Sequence, residues 1–201
     1  MTRHKIDIAC PKETNTPDSS IEVRKGHTFI FSSNSSNNKE DWGVGFCIKN
    51  SFEKYRTSYV QHSSNVATVE LSMHGNPLII AAAYMPHDAV LPQQQPKRTA
   101  AWEELETIID NITEAKNTIV CGDFNASIHY RKEEEQDVIG PHVFGKGRMF
   151  LEQKEARTPA NFTDNREHLI ALTRATNTVV ANTFFRSEEH TSELQSQFRI
   201  S

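Results

Sequence analysis

Two polar residues that follow an apolar run have the chemistry needed to handle a phosphate ester. Asp123 and Asn125 stand two positions apart, just past the apolar run 118–121, which predicts a buried strand. Because strand side chains repeat every second residue, the carboxylate and the amide are expected to point the same way. The carboxylate offers negative oxygens, and the amide is a neutral donor and acceptor. This pair suits a phosphate ester beside a hydrated cation, although Gly122-Asp123 is equally typical of an ordinary turn.

Two more candidate residues also lie at predicted strand ends. Glu13 follows a predicted strand over 5–10, and Tyr84 ends a predicted central strand over 78–84. Sites in layered folds collect at such positions, because the loops vary while the strands stay rigid. Taken singly, Glu13 is typical of an exposed loop carboxylate, and Tyr84 of a core aromatic with a satisfied hydroxyl. The placement that they share with Asp123 and Asn125 favours a functional site.

The composition limits the classes of function. The chain has 201 residues, of which 36% are hydrophobic and 24% charged, and this predicts one soluble globular domain or most of one. The net charge of −4 gives no global attraction for nucleic acid, so such a role would need a local basic patch or an active site. No run of about 18 apolar residues occurs, which predicts no membrane partner. The amino terminus reads as a strand and not as a signal peptide.

The three cysteines predict an intracellular location. Cys10, Cys47 and Cys121 are isolated in the sequence, odd in number and each inside an apolar segment. This pattern indicates buried free thiols and neither disulfides nor zinc ligands.

The order of the predicted elements indicates the class of fold. Strands are predicted over 5–10, 28–32, 43–48, 67–73, 78–84, 118–121 and 178–185, and helices over 97–115 and 165–176. Two glycines at 43 and 45 predict a bulge or a close backbone approach in their strand. Strands without helices come first and a strand–helix–strand pattern follows, which favours a layered mixed α/β domain.

Several segments of the chain, in this order along it, carry a recognisable set of motifs. Residues 5–14, 43–49, 83–86 and 122–126 resemble the "IDI…QET", "GVGF-IK", "AYxP" and "GDFNA" motifs of the endonuclease/exonuclease/phosphatase superfamily, which has the DNase-I-like fold. Arg98 and Trp102 stand in the helix where relatives carry similar residues. Residues 139–142, 145–146, 165–166 and 182–185 further resemble the subgroup encoded by LINE-type retrotransposons.

This resemblance implies a fold, a reaction and a role for each candidate residue. The implied fold is a four-layer sandwich of two mixed β-sheets flanked by helices. Glu13 matches the family's metal-binding glutamate, which holds Mg²⁺ or Mn²⁺. Asp123 matches the aspartate that orients or deprotonates the attacking water, Asn125 the asparagine that binds the scissile phosphate, and Tyr84 a tyrosine that stabilises the transition state. The implied reaction is in-line hydrolysis of a phosphodiester.

The resemblance also implies partners. In retrotransposons this domain nicks genomic DNA to prime reverse transcription, so DNA is the expected substrate. A reverse transcriptase is expected to follow in the full-length protein, with a nuclear location for the parent element. His87, Arg98, Arg131 and Lys132 are candidate contacts to the DNA backbone, although exposed solubility charges would explain them equally well.

The ends of the chain depart from the family pattern. Relatives begin with an earlier strand that carries an Asn and finish with an Asp-His pair, and neither has a counterpart here. Residues 1–185 are therefore expected to be a partial domain, truncated at both ends, poorly stable and inactive. Residues 186–196 read as a translation of a common sequencing-adapter oligonucleotide. We interpret 186–201 as a tail that is not biological sequence and forms no domain.

Two alternatives remain open at this point. The parent protein could be a phosphatase or phospholipase of the same superfamily, although the ending at 182–185 and the lack of lipid-binding segments favour the nucleic-acid branch. It could instead be a decayed, non-catalytic module that binds nucleic acid. Retention of Glu13, Asp123 and Asn125 argues that the parent was active.

Overall fold

The chain forms two compact units of mixed α/β structure. The computed structural model describes residues 6–14, 16, 18–32, 43–87, 95–113, 117–160 and 162–185. The first unit comprises Met1–Tyr84 with Glu114–Gly122, and the second comprises Met85–Thr113 with Asp123–Ser201. The interpretation of 186–201 as an adapter-derived tail lies outside the described residues.

The strands come mostly before the helices, as predicted. The strands are β1 Ile8–Ala9, β2 Ser20–Arg24, β3 His27–Phe31, β4 Gly45–Lys49, β5 Arg56–Gln61, β6 Val66–Met73, β7 Asn76–Tyr84 and β8 Asn117–Asp123. The helices are α1 Asn50–Glu53, α2 Gln95–Thr113, α3 Arg148–Arg157 and α4 Asn165–Ala175, and 3₁₀ turns span Glu133–Glu135 and Ala181–Thr183. No helix within the described ranges is long and apolar enough to cross a bilayer.

Two four-stranded sheets enclose the core of the first unit. Their strand orders are β1-β4-β3-β2 and β5-β6-β7-β8. Two-residue loops with positive φ at both positions, Lys25-Gly26 and His74-Gly75, close the β2–β3 and β6–β7 hairpins. This geometry matches the right-handed twist of paired strands. Side chains from both sheets form one apolar cluster, made of Ile30, Val44, Phe46, Ile48, Ala67, Val69, Leu71, Ile80, Ala82 and Tyr84.

The second unit is built around α2 and α4. One face of α2 is apolar, with Trp102, Leu105 and Ile109 buried and Ile112 half-buried. The Trp102 ring stacks on His168 of α4, with ring centroids 5.5 Å apart. The Asp164 side chain caps the start of α4 by accepting a hydrogen bond from the backbone N–H of Glu167 at 2.9 Å.

The prediction of a strand over 178–185 is wrong. The segment makes one parallel bridge, between Val180 and Ile139, and then turns into the 3₁₀ helix Ala181–Thr183. The reason is local, because both the backbone N–H and the hydroxyl of Thr183 bond to the carbonyl of Val180, at 3.0 and 2.6 Å. These bonds satisfy the backbone carbonyl of Val180 within a turn, and not through pairing with a neighbouring strand. The sequence patterns also gave no prediction of β2, β5 or α3.

Candidate functional site

The segment that carries Glu13 is fixed to the start of β4. The N–H of Gly45 donates to the carbonyl of Pro11 at 2.9 Å, and Lys12 forms an antiparallel bridge with Val44. Glu13 follows with a φ of +54°, and its side chain is exposed. A left-handed backbone at a residue other than glycine is strained, and such positions cluster at functional sites. The backbone pairing around Glu13 therefore stabilises a strained backbone conformation at a residue whose carboxylate is exposed.

The two glycines of the β4 segment permit this arrangement. A Cβ at Gly43 would lie 2.6 Å from Oγ1 of Thr14 and 2.7 Å from the carbonyl oxygen of Ser32. A Cβ at Gly45 would lie 2.4 Å from the carbonyl oxygen of Ile30. The predicted close backbone approach at these glycines is confirmed. A side chain at Gly43 would meet Thr14, next to Glu13, whereas a side chain at Gly45 would meet the backbone of β3.

A lysine lies beside Tyr84 in the first unit. The Nζ of Lys12 is 5.7 Å from the centroid of the Tyr84 ring, and the Tyr84 side chain is buried. The backbone N–H of Tyr84 donates to the carbonyl of Asn65 at 2.9 Å, which fixes the end of β7. The pattern singled out Tyr84 but not Lys12, which adds a positive charge at this strand end.

Two of the cysteines, isolated in sequence, are neighbours in the fold. Cys10, at the end of β1, and Cys121, in β8, share a hydrogen bond and pack against the first unit's apolar cluster. That bond, reinforced by burial, raises the pKa of Cys10 well above its ordinary value. The same bond lowers the pKa of Cys121 although burial opposes it. Both cysteines, and Cys47, are free thiols in this structure.

Asp123 and Asn125 are locked together in the second unit. The backbone N–H of Asn125 donates to Oδ1 of Asp123 at 3.0 Å, a two-residue turn that suits the φ of +47° at Asn125. The side-chain nitrogen of Asn125 donates to the carbonyl of Met85 at 2.7 Å, and the N–H of Met85 donates to the carbonyl of Asp123 at 2.8 Å. Since a carbonyl can only accept, Met85 determines which end of the Asn125 amide faces it.

One buried amide, that of Asn165, ties this turn to two helices. Its nitrogen donates to the carbonyls of Pro86 and Asn125, at 2.7 and 3.2 Å. Its oxygen accepts from Nε1 of Trp102 at 3.0 Å and from Nη1 of Arg98 at 3.2 Å. Asn165 stands in a family-like motif, but the sequence alone assigned it no role. Its place in that motif was the signal available.

Arg98 is not an exposed charge, contrary to the prediction from sequence. Its side chain is 2% exposed, and besides Asn165 it donates to the carbonyl of Thr163 at 2.6 Å. The guanidinium also lies 4.5 Å from the centroid of the Phe162 ring. The reason for the error is that a lone Arg in a helix carries no periodic signal of burial. Arg98 positions Asn165 and has no access to a DNA backbone in this conformation.

The other predicted nucleic-acid contacts lie nearer the surface. His87 is exposed, and Lys132 is half-buried with its Nζ 2.8 Å from Oε1 of Glu155. Arg131 is also half-buried, and its Nη1 reaches the carbonyl of Ile139 at 3.4 Å. Their contact with nucleic acid stays a prediction.

A buried ion pair completes the polar network of the second unit. The Nη2 of Arg166 lies 2.6 Å from Oε2 of Glu135, and the two side chains are 2% and 5% exposed. Arg166 also donates to the carbonyls of Ile128 and Tyr130, both at 3.1 Å. The guanidinium thus fixes the chain that follows the Asp123–Asn125 turn.

One exposed carboxylate is available to a hard cation. Within the ranges that the structure describes, no three His, Cys, Asp or Glu side chains cluster as ready metal ligands. Mg²⁺ is commonly held by only one or two carboxylates, with water and substrate phosphates completing its shell. The exposed carboxylate of Glu13 is a ligand of that kind.

The comparisons with known proteins agree with this architecture. The profile of the Endonuclease/Exonuclease/phosphatase family matches residues 7–169, most of the chain. The chain belongs to this family. Of the family-like positions, Glu13 and Tyr84 lie in the first unit, and Asp123 and Asn125 in the second. A search of curated proteins gave no match.

Solved structures share the fold. The AP endonuclease LMAP from Leishmania major matches with a TM-score of 0.61 and 16% identity over 90% of this chain. An AP endonuclease from Archaeoglobus fulgidus gives 0.55 and 14% over 98% of this chain and 76% of its own. The endonuclease domain of TRAS1, a telomere-specific non-LTR retrotransposon, gives 0.55 and 12% over 99% and 75%. The chain spans 60% of the length of the L. major structure. These similarities establish the mixed α/β, DNase-I-like fold.

Proposed function

We propose that this chain is part of a Mg²⁺- or Mn²⁺-dependent DNA endonuclease of the kind encoded by LINE-type retrotransposons. The observation that carries the proposal is the locked Asp123–Asn125 turn, in which a nearly buried carboxylate and an oriented amide are held by backbone partners. Preorganised groups of this kind lower the barrier to hydrolysis because they need no reorganisation during the reaction.

Asp123 would orient or deprotonate the attacking water. Its Oδ1 accepts the N–H of Asn125, so the carboxylate has one defined orientation. General-base assistance of this kind contributes roughly 10²–10⁴ in rate.

Asn125 would bind the scissile phosphate. Its amide nitrogen carries two hydrogens, one of which is directed at the carbonyl of Met85. The second can donate to a non-bridging phosphate oxygen. Because Asn165 holds the carbonyl of Asn125, the donor is fixed through backbone and side chain alike.

Three further residues would stabilise the negative charge that develops on the phosphate during hydrolysis: Glu13, Lys12 and Tyr84. The exposed Glu13 carboxylate would hold Mg²⁺, which when bound supplies electrostatic stabilisation of phosphoryl oxygens. Lys12 and the Tyr84 hydroxyl are groups that would stabilise negative charge at the end of β7. DNA is the substrate that we infer, with a reverse transcriptase following in the full-length protein and a nuclear location.

We expect no turnover by the 201-residue chain itself. Counterparts of the family's early Asn and of its Asp-His pair are absent from these residues, and the His is the group expected to bind the phosphate beside Asn125. Nicking therefore has to be tested on the protein that the full transcript of the locus encodes.

The deciding experiment measures conversion of supercoiled plasmid to open circles. We expect nicking by the full-length protein in Mg²⁺ and none in EDTA, a loss of about 10²-fold or more in Asp123→Asn, and none by the 201-residue chain. Absence of phosphodiester cleavage by folded full-length protein would refute the proposal. Release of inorganic phosphate from small esters would assign the phosphatase branch instead.

Metal binding can be tested on the 201-residue chain. Mn²⁺ or Mg²⁺ should raise the melting temperature of the wild-type chain, because a ligand that binds only the folded state stabilises it. Glu13→Gln should abolish the rise, whereas Glu106→Gln, an exposed carboxylate on α2, should retain it. An equal rise in both variants would show that Glu13 is not the ligand.

A further inference from the structure

The second unit exposes large apolar side chains next to basic ones, in a region that the proposed chemistry does not use. Phe144 and Met149 are 73% and 74% exposed, in the loop before α3 and in its first turn. Lys146 and Arg148 stand between them in the chain and are also exposed. Tyr130 is partly exposed, and its hydroxyl interacts with Arg148. We call these five residues the 144–149 patch.

Close backbone packing holds the loop of the patch in place. A Cβ at Gly145 would lie 2.3 Å from the Cα of His129, so only glycine fits at this crossing. The N–H of Gly147 donates to the carbonyl of His129 at 3.2 Å, and both residues have positive φ, +84° and +58°. The apolar side chains of the patch are therefore displayed on a braced loop, which lowers the entropy lost when a partner binds.

The patch carries two exposed cations, Lys146 and Arg148. The other cations near His129 are paired, Lys154 with Asp164 and Arg166 with Glu135. Burial lowers the pKa of His129, and Lys154, Lys146 and Arg166 lower it further against a single opposing carboxylate, Asp164. The Nζ of Lys146 lies 4.5 Å from the centroid of the Phe150 ring. Arg148 pairs with Glu152, with Nε 2.7 Å from Oε1, but both partners are well exposed. Exposed pairs contribute little, so a phosphate can replace Glu152 at low cost.

Exposed apolar side chains among cations have a particular chemical use. Proteins that bind DNA through its backbone neutralise phosphates with Lys and Arg, and some insert Phe or Met between base steps. Aromatic side chains also stack on exposed bases, whatever their sequence. A solvated face would carry the charges without the apolar pair. A protein–protein contact would be enriched in aromatic residues, Met and Arg but depleted in lysine, so Lys146 is the residue that favours nucleic acid, and self-association is one outcome of the test.

We propose that the 144–149 patch is a DNA-binding surface, in which Phe144 and Met149 contact bases and Lys146 and Arg148 contact phosphates. The inference rests on the proposed function, since the patch would bind the duplex substrate of the proposed endonuclease. Its residues are separate from the candidate catalytic groups, so binding can be measured apart from cleavage.

The test measures binding of a short fluorescein-labelled DNA duplex to the 201-residue chain by fluorescence anisotropy, with Ca²⁺ replacing Mg²⁺. We expect Phe144→Ala to weaken binding by about tenfold, the scale of one lost stacking contact. Met149→Ala removes an apolar contact with the bases and should weaken binding by a smaller factor. Phe185→Ala, which truncates another exposed aromatic of the second unit, should change affinity less than about twofold.

The salt dependence of binding tests the cation. Lys146→Gln should reduce the slope of log K against log salt by about 0.9, the contribution of one phosphate contact. Lys54→Gln is the matched control, because Lys54 also lies over an aromatic ring, with its Nζ 4.8 Å from the centroid of Tyr55. The control should leave the slope unchanged.

Three outcomes would overturn the proposal. The first is that the folded wild-type chain does not bind duplex DNA. The second is that the double variant Phe144→Ala/Met149→Ala keeps wild-type affinity and Lys146→Gln keeps the wild-type salt slope. The third is that the patch variants change self-association but leave DNA affinity unchanged. Size-exclusion chromatography and circular dichroism on each variant separate these cases from misfolding. If the patch variants lose DNA while the full-length protein never nicks, the surface stands and the proposed function fails.

Discussion

The two units of the chain hold themselves together by opposite means. The first places apolar side chains of two sheets against one another, with Phe46 and Leu71 fully buried. The second also buries apolar side chains such as Trp102, but among the described residues its largest fully buried side chains are the cations Arg98 and Arg166. An apolar core tolerates changes that conserve volume, whereas a buried polar network fails when one member loses its partner.

The difference teaches how a fold fixes a reactive geometry. Apolar contacts are non-directional, so sheet packing alone cannot determine which way an amide points. The directional bonds of Asn165 and Met85 do determine it for Asn125. The polar network of the second unit therefore stabilises the candidate catalytic turn as well as the helices.

The largest effect is expected from breaking the buried ion pair. Arg166→Met leaves the Glu135 carboxylate buried and unpaired, so the free energy of unfolding should fall by about 3–5 kcal/mol. The double variant Arg166→Met/Glu135→Leu should recover at least half of the loss, because no charge then remains buried. Urea denaturation measures both. If the loss in the double variant equals the sum of the losses in the two single variants, the ion pair is not the source of the effect.

A matched change in the first unit should cost somewhat less. Leu71→Ala in β6 removes a fully buried side chain and should lower the free energy of unfolding by about 2–5 kcal/mol, whereas Leu71→Met should lower it by less than about 1.5. Hydrogen exchange measured along the chain assigns the loss, which we expect in β5 to β7. Equal losses for Ala and Met would contradict an apolar origin.

Asn165 offers a sharper comparison at smaller cost. Asn165→Asp keeps an acceptor for Arg98 and Trp102 but loses both donors, so the Asn125 carbonyl is left without its partner. We expect a loss of about 1–3 kcal/mol. Hydrogen exchange should rise most at residues 123–127, next to the lost donor. An effect confined to α2 would show instead that Asn165 serves the helix and not the turn.

The smallest effect concerns pH. Burial lowers the pKa of His168, and nearby Arg98 lowers it further. The unfolded chain therefore binds the proton more readily, so stability is complete above the unfolded pKa near 6.5 and falls as the pH drops towards the lower folded value. His168→Phe keeps a ring against Trp102 and should reduce the difference in melting temperature between about pH 8 and pH 5. An unchanged difference would exclude His168 as its source.

The same division explains what could be predicted from the sequence. Apolar runs and helical periodicity located β4, β6, β7 and α2, because burial leaves a pattern in the chain. The burial of Asn165 and Glu135 left no such pattern, since a polar residue has the same letter whether it is exposed or fully bonded. The predicted strand over 178–185 failed for a related reason, because the Thr183 hydroxyl competes for backbone bonds that a pattern of apolar residues ignores.

The candidate site divides in a similar way. Glu13, Tyr84, Asp123 and Asn125 were found because they follow strands and fit family motifs, and their roles stay predictions. Lys12 and the partners that orient Asn125 could not be found, since their contacts join residues distant in sequence.

The left-handed backbone at Glu13 has a consequence for how this position would evolve. Glycine adopts that conformation freely and asparagine with little difficulty, so either replacement would relieve strain at position 13. If Glu13 holds a metal ion as proposed, selection for that ion is what keeps a carboxylate in this strained conformation. A sequence free of that selection would gain stability by replacing Glu13 with glycine or asparagine.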